Sequence, residues 1–175
     1  MKKTVSILLA LLLLLGLSTS TFAAGVPGFE VYEDDSPLVI PDGVFVDEIL
    51  EPRTRAVARP TAKWNFNDGS YYGTLTMSSG GWANYLFQAN GEGKIYVKAT
   101  SSWASGSSSS QYPRFILQNT NGANLATFNG SICPGSNSFS FYNLTPWQYY
   151  AIRIEKNVSG GNSMKVSFQV ANYSI

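Results

Sequence analysis

Met164-Lys165-Val166-Ser167-Phe168-Gln169-Val170-Ala171 is the stretch that decides the fold. Its large apolar residues fall at every second position. Successive side chains of a strand point to opposite faces, so a period of two marks a half-buried strand, whereas a helix would need a period of 3.6. Met164, Val166, Phe168 and Val170 then face a core. Lys165, Ser167, Gln169 and Ala171 face away.

The same alternation recurs upstream. Tyr150, Ile152 and Ile154 alternate with Ala151, Arg153 and Glu155, and Phe139 and Phe141 alternate with Ser138 and Ser140. Ile95 and Val97 alternate with Lys94, Tyr96 and Lys98. Weaker runs lie near Lys63–Phe66, Tyr71–Met77, Asn84–Ala89, Arg114–Gln118 and Asn124–Phe128. Between them stand Asp68-Gly69, Asn90-Gly91, Asn121-Gly122 and Asn129-Gly130, dipeptides that reach positive φ at low cost. Nothing in this region has helical spacing over a useful length. Residues 61–175 are therefore expected to hold about 8–9 short strands, as two packed antiparallel sheets or a barrel, with the β-sandwich the predicted class.

The N-terminal residues divide differently. Residues 1–23 read as a secretory signal peptide: Lys2 and Lys3, an apolar run from Ile7 to Leu17, and small residues at Thr21 and Ala23 for cleavage. An uncut membrane anchor is the other reading, but the run is short of the roughly 20 residues that a span requires. The leader has a bacterial look, and the expected location is secreted, extracellular, with no membrane anchor after cleavage.

Residues 24–60 form an acidic, proline-rich arm. Eight of the chain's 11 carboxylates lie between Glu30 and Glu51, and no basic residue appears in the arm before Arg53. Prolines 27, 37, 41, 52 and 60 break any long element. Arg53, Arg55 and Arg59 then cluster, as a site of proteolytic processing would. From Thr61 onward seven basic residues face three acids. Two readings of the arm stand: a mostly irregular solubilising linker, or a pro-segment that docks on the basic domain and is cut at the arginines.

The domain is poor in reactive groups. The whole chain has no histidine and a single cysteine, Cys133, and residues 61–175 carry only Asp68, Glu92 and Glu155 as acids. A Ser-His-Asp triad is excluded, and paired carboxylates for glycoside hydrolysis are not in evidence. Asn65-Phe66-Asn67-Asp68-Gly69 is a faint match to a calcium loop, with too few carboxylates. No catalytic residue, metal site or cofactor is expected. Basic residues are too sparse for nucleic acid. Cys133 has no internal partner, so it is a partly buried free thiol or the link of a disulfide dimer.

Aromatic residues are the remaining signal. Trp82 follows Ser78-Ser79-Gly80-Gly81, and Trp103 stands in the serine-rich segment 101–111, both read as loops with nothing local to bury the ring. Tyr96 and Tyr149 face outward by the alternation above. Flat rings beside amides and hydroxyls suit a sugar surface. The competing reading has these rings capping the ends of the sandwich.

Leu144-Thr145-Pro146-Trp147-Gln148-Tyr149-Tyr150-Ala151-Ile152-Arg153-Ile154 resembles the tyrosine-corner segment of fibronectin type III domains and of bacterial pre-peptidase C-terminal modules. Leu144, Pro146, Tyr150, Ile152 and Ile154 occupy the matching positions. The resemblance implies a sandwich in which Tyr150 buries its ring and bonds backbone through its hydroxyl. The expected function is a secreted, non-catalytic binding module for a glycan or cell-envelope polymer, using Trp82, Trp103, Tyr96 and Tyr149. The alternatives are an effector or toxin-like protein held inactive by its arm, and a structural or adhesion domain that contacts protein.

Overall fold

The computed structural model describes residues 25–34, 36–50 and 59–175. The signal-peptide segment, Arg53 and Arg55 lie outside the described residues.

The architecture is two stacked β-sheets. The strands are β1 (Gly28–Val31), β2 (Asp47–Leu50), β3 (Tyr71–Met77), β4 (Gly80–Gln88), β5 (Ile95–Ser105), β6 (Pro113–Gln118), β7 (Asn124–Asn129), β8 (Gly135–Tyr142), β9 (Tyr149–Lys156) and β10 (Ser163–Ala171). One sheet has six strands in the order β1-β8-β5-β10-β3-β2, and the other has four in the order β4-β9-β6-β7. Every pairing is antiparallel except that of β2 with β3, which is parallel.

The alternation of β10 translates directly into burial. Met164, Val166, Phe168 and Val170 are wholly buried, while Lys165 is exposed. Phe168 sits over Gly73 on the neighbouring strand, where a Cβ would come within 2.8 Å of the ring. Phe87, Phe115, Leu117, Ile152 and Ile154 join the same core from the four-stranded sheet, all fully buried. At one end of this core Phe128 stacks on Phe139 with centroids 4.0 Å apart, and Phe115 packs on the same ring. At the other end Tyr71 meets Trp64, Tyr85, Phe87 and Phe168. The run at Lys63–Phe66 forms no strand. It makes one bridge, Lys63 to Leu86, and leads into a 3-10 turn over Phe66–Asp68 capped by the Asn65 side chain.

The turns follow their residues. Asn90 Oδ1 accepts from the backbone N–H groups of Glu92 and Lys94, and Gly93 closes the turn at φ 70°. A Cβ at Gly93 would fall 2.2 Å from the Leu144 carbonyl oxygen, so only glycine fits. Tyr150 is buried, and its hydroxyl accepts from the Thr145 backbone N–H at 2.9 Å, pinning the corner before β9.

The arm differs most from the linker reading. Its irregular stretches are longer than its strands, but those strands are the two edges of the six-stranded sheet. Phe29 and Val31 lie opposite Phe141 and Phe139. Ile49 lies opposite Leu75 and is buried in the core. Edge strands have unpaired backbone on one side only, so four residues suffice to gain pairing from a neighbour. Between the edges the chain meets the outer face of the sheet. Tyr32 stacks on Tyr96, and its hydroxyl pairs with that of Ser140. Lys98 Nζ reaches Asp34 Oδ2 at 2.7 Å and Ser36 Oγ at 2.8 Å, and the Leu38 N–H donates to Thr100 Oγ1 at 2.7 Å. The described part of the arm, residues 25–34 and 36–50, therefore packs on the rest of the domain.

Candidate functional site

The outward face of the four-stranded sheet gathers the side chains best suited to hold a ligand. Trp82 lies in β4, a strand, and not in the loop expected from its glycine and serine neighbours. Those glycines pack closely: a Cβ at Gly80 would meet Glu155 Cβ at 2.6 Å and the Ile154 carbonyl oxygen at 2.7 Å on β9. The local sequence reads as loop because strand-forming side chains are missing. The backbone pairs nonetheless, since the neighbouring strand tolerates nothing larger.

Register places Trp82 opposite Arg153 of β9, and Arg153 opposite Ile116 of β6. The Trp82 indole N–H donates to Gln118 Oε1 at 3.0 Å. Gln118 Nε2 in turn donates to Asn124 Oδ1 at 2.8 Å. The Arg153 guanidinium stands 5.2 Å from the Trp82 ring centre, within reach of a cation–π contact. It also pairs with Glu155 at 2.8 Å, while Arg114 holds the other carboxylate oxygen. Trp82 is thus fixed at its N–H edge by an amide and at its face by a cation. Lys156, the next residue along β9, is buried and bonds to the carbonyls of Gly160 and Asn162.

Farther along the same strand pair, Tyr149 lies opposite Gln88, with Lys63 Nζ 4.4 Å from its ring centre. Gln88 Nε2 donates to the Trp147 carbonyl at 2.8 Å. Trp147 is 61% exposed and sits at φ 64°, a left-handed conformation uncommon for a bulky residue. Rings, amides and guanidinium groups on one sheet face can stack on a flat ligand and exchange hydrogen bonds with its hydroxyls.

The four aromatic residues singled out in the sequence do not form one surface. Trp82 and Tyr149 share the outer face of the four-stranded sheet. Trp103 extends β5 in the other sheet, opposite Met164, and packs against the core. The loop reading of Trp103 is thereby corrected: β5 runs to Ser105, through serines that the composition marked as loop. Tyr96 does point outward, but Tyr32 covers it and leaves it 8% exposed. Arg59, the only described member of the arginine cluster, donates to the carbonyls of Asn119 and Thr120 at the β6–β7 turn. Cys133 is a free thiol buried in the core, and burial pushes its pKa up. A disulfide to a second chain would first require it to be uncovered.

Gln118, Arg153, Arg114, Lys63 and Trp147 were not anticipated as site residues. Alternation alone put Arg153 outward. Its meeting with Trp82 and Glu155 depends on strand register, which no local pattern carries. In comparisons with known proteins, no protein-family model and no curated protein matches this chain.

Proposed function

We propose that the protein is an exported, non-catalytic binding module that holds a glycan or cell-envelope polymer against the outer face of its four-stranded sheet. The observation that carries this reading is the anchoring of Trp82 by Gln118 and Arg153. A ring locked in advance loses little conformational freedom on binding, and the face opposite Arg153 would be the apolar platform for a sugar. Tyr149 and the half-exposed Arg114 and Arg153 extend the same face.

The effector alternative draws support from the docked arm, which covers Tyr96, Lys98 and Thr100 on the opposite face. Removing the arm would also strip away both edge strands and the core residue Ile49. That cost favours an arm kept as part of the fold. Sequencing the N-terminus of exported protein separates the two: a start near Ala24 fits the module, a start near Thr61 the processed effector.

Binding is tested by co-sedimentation of residues 24–175 with microcrystalline cellulose, chitin and bacterial peptidoglycan sacculi. At least one should retain the protein. Trp82→Ala should then weaken retention about tenfold or more, because a central stacked ring commonly dominates an interface. Tyr96→Phe, beneath the arm, should retain binding. Retention undiminished by Trp82→Ala, or no retention on any of the three, overturns the proposal.

A further inference from the structure

A second site is built at the mouth between the two sheets, where the end of β1 faces the end of β7. The cleft there measures about 250 Å³ and is lined by Val31, Tyr32, Phe128, Gly130, Ser131 and Asn137 among others, none of them charged. Asn137 pairs with Ala99, a wholly buried residue, so its side chain enters between the sheets. It is 5% exposed. Its Oδ1 accepts from the Ser131 backbone N–H at 2.7 Å, which fixes the amide's orientation. Its Nδ2 is buried and has no hydrogen-bond partner among the described residues.

A buried amide donor left unpaired is costly, and most such groups have an acceptor. The space beside this one exists because residue 130 is glycine. A Cβ there would stand 3.1 Å from Asn137 Nδ2 and 3.1 Å from Pro113. One bridging water has a share of only about 30 Å³ of liquid, several times less than the cleft. Val31 and Phe128 supply apolar walls, and the lining offers hydroxyls and amides in place of charge.

We propose that this cleft is a subsite for a neutral, hydroxyl-rich ring, a single hexopyranose unit, whose hydroxyl accepts from Asn137 Nδ2 while its C–H face lies on the apolar wall. The site stands apart from the Trp82 face and needs the arm, which contributes Val31 and Tyr32. The arm then completes a binding site on one side of β1.

The test is a titration of ¹⁵N-labelled residues 24–175 with glucose, galactose and N-acetylglucosamine in turn, with glucuronate as the charged comparison. The Asn137 side-chain amide pair should shift saturably with at least one neutral sugar and less with glucuronate. Asn137→Asp keeps the acceptor for Ser131 and removes the donor; followed through the Ser131 backbone amide, which bonds to the same side chain, it should weaken that sugar about tenfold. Gly130→Ala, which fills the space beside the amide, should do the same and serves if the aspartate variant fails to fold. No saturable shift with any of the three sugars overturns the proposal, as does a shift undiminished in both variants. The readout is the Asn137 side-chain amide and the Ser131 backbone amide bonded to it, so it fails or stands separately from sedimentation on the sheet face.

Discussion

The outer faces of the two sheets have opposite fates. On the six-stranded sheet, Tyr96, Lys98, Thr100 and Ser140 look outward and are met by the chain's own arm. On the four-stranded sheet, Trp82, Arg153, Glu155 and Tyr149 look outward and engage one another or neighbours on the domain itself, Gln118, Arg114 and Lys63. Outward direction is therefore a weak guide to availability. Tyr96 and Tyr149 have the same alternation, yet Tyr96 is buried and Tyr149 only half-buried, because only one of them lies where the arm crosses. Trp82 and Trp103 make the converse point. Both lie in glycine- and serine-rich sequence, yet one rests on an outer face and the other against the core.

The comparison is broken most forcefully from the inside. Phe168→Ala removes a fully buried ring and should cost about 3–5 kcal/mol, seen as a large drop in the denaturation midpoint. Gln169→Ala, one residue on and facing out, should move the midpoint far less. Equal shifts would show that β10 is turned over.

A smaller effect separates the two tryptophans. Trp103 is half-buried against the core, so Trp103→Ala should cost about 2 kcal/mol, below the range for a fully buried ring. Trp82→Ala loses one hydrogen bond and one cation–π contact at the surface and should cost about 1 kcal/mol. If urea denaturation reverses that order, Trp82 is a structural ring and the polymer-binding face loses its centre.

The smallest effect concerns the arm. Hydrogen bonds from Lys98 and Ser36 hold the Asp34 carboxyl down at about 2, below its ordinary value of 3.8. A depressed folded-state pKa adds stability at neutral pH that fades as pH falls from about 4 through about 2. The Leu38 amide, bonded to Thr100, should lose hydrogen-exchange protection over that window while β10 amides stay protected. Asp34 is partly exposed, so salt should weaken the same contact at pH 7. Leu38 protection independent of both pH and salt would assign arm docking to Tyr32 and the edge strands alone.

Much of the domain was legible in its residues. Alternation identified the inner faces of β8, β9 and β10, and Asn90–Gly93 and Asn121-Gly122 marked real turns, the latter with Gly122 at φ 96°. Tyr150 was placed as a buried ring bonded to backbone, as found. These are local properties: a side chain's face depends on its own strand, and a turn depends on a few consecutive residues.

What only the tertiary structure decided was pairing. Phe29-Glu30-Val31 and Glu48-Ile49-Leu50 sit among prolines and acids and carry no strand signal. They are strands because β8 and β3 offer them unpaired backbone, across more than a hundred residues in the first case and by a parallel connection in the second. Trp82 meets Arg153 and Gln118, and the arm shelters Tyr96, for the same reason. Composition and period act within a strand, whereas register and sheet order are set by which distant backbone edges and apolar faces are satisfied together.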